Sequence, residues 1–262
     1  MSRLTNKGFS SPFSLFTTVS EVVTTAPFTS LTTVAGERFD ASDGREFVVV
    51  QNGATAIAAG KLVQSAPIEA NHQNLAVTAY SPASSTVPYT TITVTLGATA
   101  VTVNQYAGGF LVVNDNNGEG QTLKIQSHPA ANLSTSVVLT LEDTAVTAIT
   151  TASEVCLIPN PYTGVVINPT TATNTPIGVT LYAIAASSAV PAVAGTTNVF
   201  GLIQTKGPIS ALADGTIGVG LGIMPSTNTA GAVLVADATG ARIGRALQAG
   251  VSTEYRTVYI DL

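Results

Sequence analysis

From Phe47 to the C-terminus, short apolar runs alternate with clusters of Gly, Asn, Pro and Ser. The runs are rich in Val, Ile and Thr, which suit a pleated, half-buried strand better than a helix. In Ile92-Thr93-Val94-Thr95-Leu96 apolar and hydroxyl residues alternate strictly. A period of two places Ile92, Val94 and Leu96 on one face of a strand and the threonines on the other. The same reading predicts strands at Phe47–Gln51, Leu75–Tyr80, Tyr89–Leu96, Phe110–Val113, Thr122–Gln126, Val137–Leu141 and Ser153–Pro159. Further strands are expected at Val165–Asn168, Ile177–Ala183, Ala232–Ala236 and Arg256–Leu262. Thr144–Thr151 reads as a short helix or a turn, and Ala183–Thr197 as a flexible connector.

The segment Val199–Met224 carries the strongest turn signals. Val199–Thr205 and Ile209–Leu212 read as two strands broken at Lys206-Gly207-Pro208. Asp214-Gly215 marks a tight turn, because Gly takes the positive φ that hairpin turns demand, and Thr216–Met224 reads as a third strand. The spacing of strands and turns predicts a mainly β fold, with antiparallel sandwich or small-barrel modules. No fixed-period repeat of the solenoid or propeller kind stands out.

The N-terminal region differs. It is Ser/Thr-rich, and Pro12 and Pro27 argue against one long helix. Phe9, Phe13, Phe16 and Phe28 are spaced along it. Such a segment cannot form a core alone, so its aromatics need a surface to land on. These four are the candidate partner-binding residues. Residues 1–45 are thus expected as an extended arm, 46–195 as a β-rich body and 196–262 as a C-terminal β unit.

Composition narrows the function classes. Charged residues make up 10% of the 262-residue chain and hydrophobic ones 45%, against a usual charged fraction of roughly 25%. A surface so poor in charge is better suited to burial against partners than to a free monomer. The net charge is −5 with no basic run, which argues against a nucleic-acid groove. No stretch approaches the roughly 18 apolar residues of a membrane helix. Ser, Thr and Pro interrupt any signal-peptide core, so synthesis in a cytoplasm is expected.

Candidate chemistry is sparse. The single cysteine, Cys156, excludes an internal disulfide and is expected as a buried small hydrophobe. His72 and His128 lack partners at ligand spacing and read as solvated or hydrogen-bonded loop histidines. A Cys156–His128 dyad has no local motif behind it. Asn114–Gly120 is acidic and Asn-rich, but the twelfth position from Asp115 is Gln126 rather than Glu, so a hairpin loop is favoured over a calcium loop. Gly218, Gly220 and Gly222 precede Met224-Pro225, which blocks the helix that a dinucleotide loop requires. They are expected as strand-interior sites of close packing or bulging. No G-x-S-x-G elbow occurs. No catalytic residue, cofactor or metal is assigned.

Gln204-Thr205-Lys206-Gly207-Pro208, Asp214-Gly215, Gly218–Gly220, Ile243-Gly244-x-Ala246-Leu247 and a closing strand resemble structural virion proteins of tailed bacteriophages. The resemblance is nearest to head decoration, or capsid cement, proteins. Tyr106–Gly120 and Asn160-Pro161-Tyr162-x-Gly164-Val165 resemble stretches of such proteins too. The resemblance covers the C-terminal two-thirds and leaves out the arm. It implies a non-enzymatic protein on the exterior of an icosahedral head, often a trimer, that partners the major capsid protein and strengthens contacts between capsomers. It brings no catalytic residues with it. A tail, baseplate or fibre component is the nearest alternative. A carbohydrate-binding, adhesin-like module is another, weakened by the absence of Trp.

Overall fold

A computed structural model of the chain describes residues 35–81, 90–188, 190, 199–238 and 240–262. The four arm phenylalanines lie outside the described residues. The first strands are β1 (Arg38–Asp40), β2 (Glu46–Asn52), β3 (Leu62–Gln64), β4 (Leu75–Ser81), β5 (Thr91–Thr95), β6 (Phe110–Asp115), β7 (Thr122–Ser127) and β8 (Ser136–Leu141). Then follow β9 (Glu154–Ile158), β10 (Thr163–Ile167), β11 (Pro176–Thr180), β12 (Phe200–Leu212), β13 (Gly222–Pro225), β14 (Val233–Val235), β15 (Gly244–Ala246) and β16 (Tyr255–Asp261). Among the described residues helix is limited to one 3-10 turn, Ala70–His72. The protein is mainly β.

The chain divides into two units. One spans Ile68–Asn160 and is inserted into the other, which comprises the residues up to Pro67 and those from Pro161 to Leu262. These boundaries differ from the ones expected near residues 45 and 195. The reason is pairing across the expected border: β12 bonds to β2 and to β16, so the expected C-terminal unit shares a sheet with the first strands of the body.

The inserted unit is a closed barrel in the order β4-β5-β8-β7-β6-β9. Each strand sends alternate residues inward: Leu75 and Val77, Ile92 and Val94, Leu111 and Val113, Leu123 and Ile125, Val137, Leu139 and Leu141, and Val155 and Leu157. That is the period-two pattern of the sequence closed on itself. Closure also removes the free edges that an open sheet of this length would expose. Thr144–Thr151 forms turns rather than a helix. Gln121 holds it in place: the N–H groups of Val146 and Thr147 donate to its Oε1 (2.6 and 2.9 Å), and its Nε2 donates to the Thr147 carbonyl (2.9 Å).

The discontinuous unit is built on β12. Strands β2, β10, β3, β11 and β12 pair in succession, and β12 pairs back to β2, so the five close a ring. Val48, Val50, Val63, Val165, Val199 and Ile203 cluster together with Ile57 and Ile184. On the opposite face of β2 and β12, Phe47, Val49, Phe200 and Leu202 pack with Phe39. Both faces of these strands are covered, which is why β2 reads as the continuous run Phe47-Val48-Val49-Val50. The connector expected at Ala183–Thr197 is ordered at its start, where Ile184 is buried and bridges Ile57.

Beyond the ring, β12 continues into a second sheet, β12-β16-β15-β13-β14. The break expected at Lys206-Gly207-Pro208 is absent, and β12 runs unbroken for 13 residues. Three features allow this. The pairing with β2 shifts register between Gln204 and Lys206, which makes Thr205 an extra, bulged residue. Gly207 takes φ +97°, a conformation that costs other residues strain. Pro208 sits where its missing N–H is harmless. The Leu262 N–H donates to the Thr205 carbonyl (2.9 Å), making Lys206–Asp261 a pair without mutual hydrogen bonds. By alternation Gly207 and Ile209 bond to β16, while Pro208 and Ser210 turn their polar groups away from it. The buried Gln204 amide donates to the carbonyls of Lys206 (2.9 Å) and Pro208 (3.0 Å), closing the bulge from within. The expected strand Thr216–Met224 is cut to β13, because Gly218–Leu221 forms a tight turn with Gly220 at φ +80°. Gly218 and Gly220 are thus turn residues rather than strand-interior ones.

Gly207→Ala should destabilise the protein by about 1–2 kcal/mol, the cost of a left-handed L-residue. Its new Cβ would also lie 2.8 Å from Arg45 Cγ. A denaturant midpoint unchanged from the parent chain would show that the bulge does not need Gly.

Candidate interaction surface

The residues with the most chemical potential are spent on packing. Tyr106 is buried in the inserted barrel, and its hydroxyl is hydrogen-bonded to His72 Nδ1 at 2.5 Å. His72 Nε2–H then donates to the Thr99 carbonyl at 3.0 Å. The Tyr106 backbone N–H donates to His128 Nε2 (2.9 Å), and His128 Nδ1–H donates to the Pro129 carbonyl (2.8 Å). All four ring nitrogens are therefore engaged, and the backbone N–H donating to Nε2 holds His128 as its Nδ1–H tautomer. Both are buried hydrogen-bonded loop residues rather than solvated ones. Burial pushes the Tyr106 hydroxyl pKa upward and pulls the His128 pKa down. With both nitrogens committed, His128 has none left to activate Cys156.

Cys156 is half-buried, not fully buried as expected. It lies on β9 beside Asn74 and Asn114, with its Sγ 3.4 Å from Asn114 Oδ1. Its neighbours on the strand, Val155 and Leu157, are the inward-facing pair. The run Val-Cys-Leu-Ile looked uniformly apolar, but alternation turns Cys156 outward. In the Asn-rich loop, Asp115 accepts from the Asn116 N–H at 2.8 Å. No group of three or more His, Cys, Asp or Glu among the described residues is placed to hold a metal ion. No helix among them is long and apolar enough to cross a membrane.

What the fold does present is an apolar surface on the second sheet. The turn after Ile217 and the segment after β15 are tied together. Ile217 and Gly250 exchange two backbone hydrogen bonds at 2.9 Å, the Gly220 N–H donates to Ala246 (2.8 Å), and the Ala246 N–H donates to Leu221 (2.9 Å). Ile217 and Ala246 point into the core and anchor the pair. Other residues of the two loops project outward: Val219 is 66% exposed, Leu221 46%, Leu247 43% and Val251 50%. Single exposed aliphatics are ordinary, but four on two joined loops form a patch of the kind that marks interaction sites. No sequence signal announced it, since period-two and turn rules do not say which apolar residues stay outside.

Charge is partitioned between the units. Residues 68–160 hold six acidic residues and one lysine, a net of −5, so the discontinuous unit is neutral overall. The apolar patch therefore belongs to the unit with no net charge to repel a partner of either sign.

The described residues form an all-β protein of two units that exposes a group of aliphatic residues on the second sheet of one of them. No family model matches the chain, nor does any curated protein or solved structure.

Lowering of the His128 pKa ties stability to pH. Its folded-state value lies below the ordinary 6.5, so the unfolded chain binds the proton more readily. That contribution is complete above the unfolded pKa and is lost as pH falls through the folded one. Chemical denaturation from pH 7.5 to 5 should show the wild type losing more stability than His128→Gln. Parallel losses would mean that His128 is not the group responsible.

Proposed function

We propose that this protein is a non-enzymatic virion component that binds the outer surface of a tailed-phage capsid and stabilises contacts between capsomers. The observation that carries the proposal is the apolar patch Val219–Leu221–Leu247–Val251 on a neutral, all-β unit. Its support from sequence is the resemblance of Gln204–Pro208, Asp214-Gly215 and Ile243–Leu247 to head decoration proteins. The partner in this reading is the major capsid protein, and the decorating species is a homo-oligomer, with a trimer favoured.

The mechanism is mass action. A protein that binds only the expanded lattice stabilises that state in proportion to its occupancy. The exposed aliphatic area of the patch is on the order of a few hundred Å², below the roughly 800 Å² per partner of a standard stable interface. One patch alone thus makes a weak contact. Several copies per oligomer, each with an arm carrying Phe9, Phe13, Phe16 and Phe28, would raise it through effective concentration.

Labelled antibody or tag density on intact particles is expected over the head. Signal confined to the tail would sink the proposal and favour a tail or baseplate component. Val219→Asp with Val251→Asp changes only exposed positions, so the fold should persist while head occupancy drops about tenfold or more. Deleting Met1–Thr33 should likewise leave the β units folded and weaken particle binding. Unchanged occupancy in a pull-down of purified heads would show the arm to be dispensable.

A further inference from the structure

The discontinuous unit contains a cleft of about 700 Å³ that the capsid reading does not use. It opens where β12 leaves the five-stranded ring. Its lining includes Arg45, Gly60, Leu181, Ile209, Ser210 and Tyr255. The loop before β3 covers part of the β12 edge: the Leu212 N–H donates to the Gly60 carbonyl at 3.0 Å. Gly60 lies so close to the edge that a Cβ there would meet the Ser210 carbonyl at 3.1 Å and the Tyr255 ring at 2.7 Å. Among the described residues the edge beyond Gly60 is open: the backbone of Ser210 faces away from β16, like that of Leu212, and no described strand covers it. The Pro208 carbonyl on the same edge is already taken by Gln204. Among the described residues the cleft therefore offers an unpaired backbone donor, the Ser210 N–H, between walls that are largely apolar.

Its charge is balanced. The Arg45 Nε donates to Asp43 Oδ2 at 2.8 Å, and the guanidinium lies over the Phe47 ring, 5.4 Å from its centroid. A neutral cleft with apolar walls and one edge donor suits an uncharged extended segment that brings a carbonyl and bulky apolar side chains. The chain itself has such a segment. Phe9–Ser20 contains no charged residue and carries Phe9, Phe13 and Phe16, whereas Lys7 precedes it and Glu21 follows. The Ala41 N–H donates to the carbonyl of Arg45, a residue of the lining, at 2.8 Å. Ala35, six residues earlier, therefore lies within about 25 Å of the cleft, and the fifteen residues from Ser20 to Ala35 can span up to about 50 Å when extended.

We propose that this cleft is the docking site of the chain's own Phe9–Ser20 segment, which adds to the open β12 edge at Ser210 and seats its phenylalanines against Leu181, Ile209 and Tyr255. The tether makes docking intramolecular, or exchanged between copies of an oligomer, and either route raises its effective concentration. Docking also gives the arm's aromatics a surface that does not depend on a virus particle.

Amide hydrogen exchange, read residue by residue by NMR on the isolated full-length protein, tests this. Ser210 should exchange slowly in the wild type and about tenfold or more faster in the Phe9→Ala/Phe13→Ala/Phe16→Ala chain. Ile209, bonded to β16, and Leu212, bonded to Gly60, should not change and serve as internal controls. Equal Ser210 rates in the two chains, fast or slow, would overturn the proposal. Should the triple variant lose protection at the controls as well, a photo-crosslinking benzoylphenylalanine in place of Tyr255 in the otherwise wild-type chain decides. Adducts to residues 9–20 support the docking, and adducts only elsewhere overturn it. No capsid is present in either experiment, so a failed capsid proposal leaves the outcome unaffected.

Discussion

The discontinuous unit depends on a single strand serving two sheets. In its first half, up to Gln204, β12 is buried on both faces and bonded to β2 and β11. In its second half it pairs with β16 from Lys206 to Leu212. A straight, regular strand could not leave one neighbour and continue with another without stranding its polar groups. The bulge at Thr205 re-aims the strand, Gly207 supplies the turn in φ, and the Gln204 side chain takes up the carbonyls that lose their ladder partners. Pro208 is exposed and Lys206 partly so, and the amide spares both carbonyls from depending on solvent alone. The glutamine is therefore as much a part of the strand as its backbone is.

The same local chemistry explains why the sequence misled at this point. Lys-Gly-Pro between apolar runs is ordinarily a strand terminator, because Pro removes a donor and Gly loosens the backbone. Here Pro208 faces away from β16, so the missing donor leaves the ladder intact. Only the pairing partner reveals that orientation, and the partner lies some fifty residues further along the chain. The inserted barrel was more legible. Its inward pairs all follow the i, i+2 rule, and their strands were readable one by one. The order β4-β5-β8-β7-β6-β9 was not readable, because closure depends on which edges meet, and the pairing of β4 with β9 joins residues about eighty positions apart.

Side-chain roles divided along the same line. That neither histidine stands in a metal or catalytic motif was visible from spacing. That both are buried around Tyr106 was not, since His72 and His128 come from separate loops and meet only when the barrel closes. The outward turn of Cys156 follows from alternation once Val155 and Leu157 are known to face inward. The apolar patch is the opposite case: Val219, Leu221, Leu247 and Val251 have the composition of core residues, and only the hydrogen-bonded turns that hold them outside distinguish them.

Exposure of these four residues is informative because the local structure makes it hard to avoid. Ile217 and Ala246 anchor the two loops in the core, and the backbone bonds between the loops fix the residues that project between them. A loop free to collapse could bury its valines against its own sheet, but one bonded along its length cannot do so without breaking those bonds. With the backbone so fixed, little main-chain entropy would be lost if a partner covered these side chains. The neutrality of this unit, in a chain whose inserted unit accounts for all the net charge, works in the same direction. The chain's net negative charge thus lies in the inserted unit, and the unit that exposes the four aliphatics has equal numbers of acidic and basic residues.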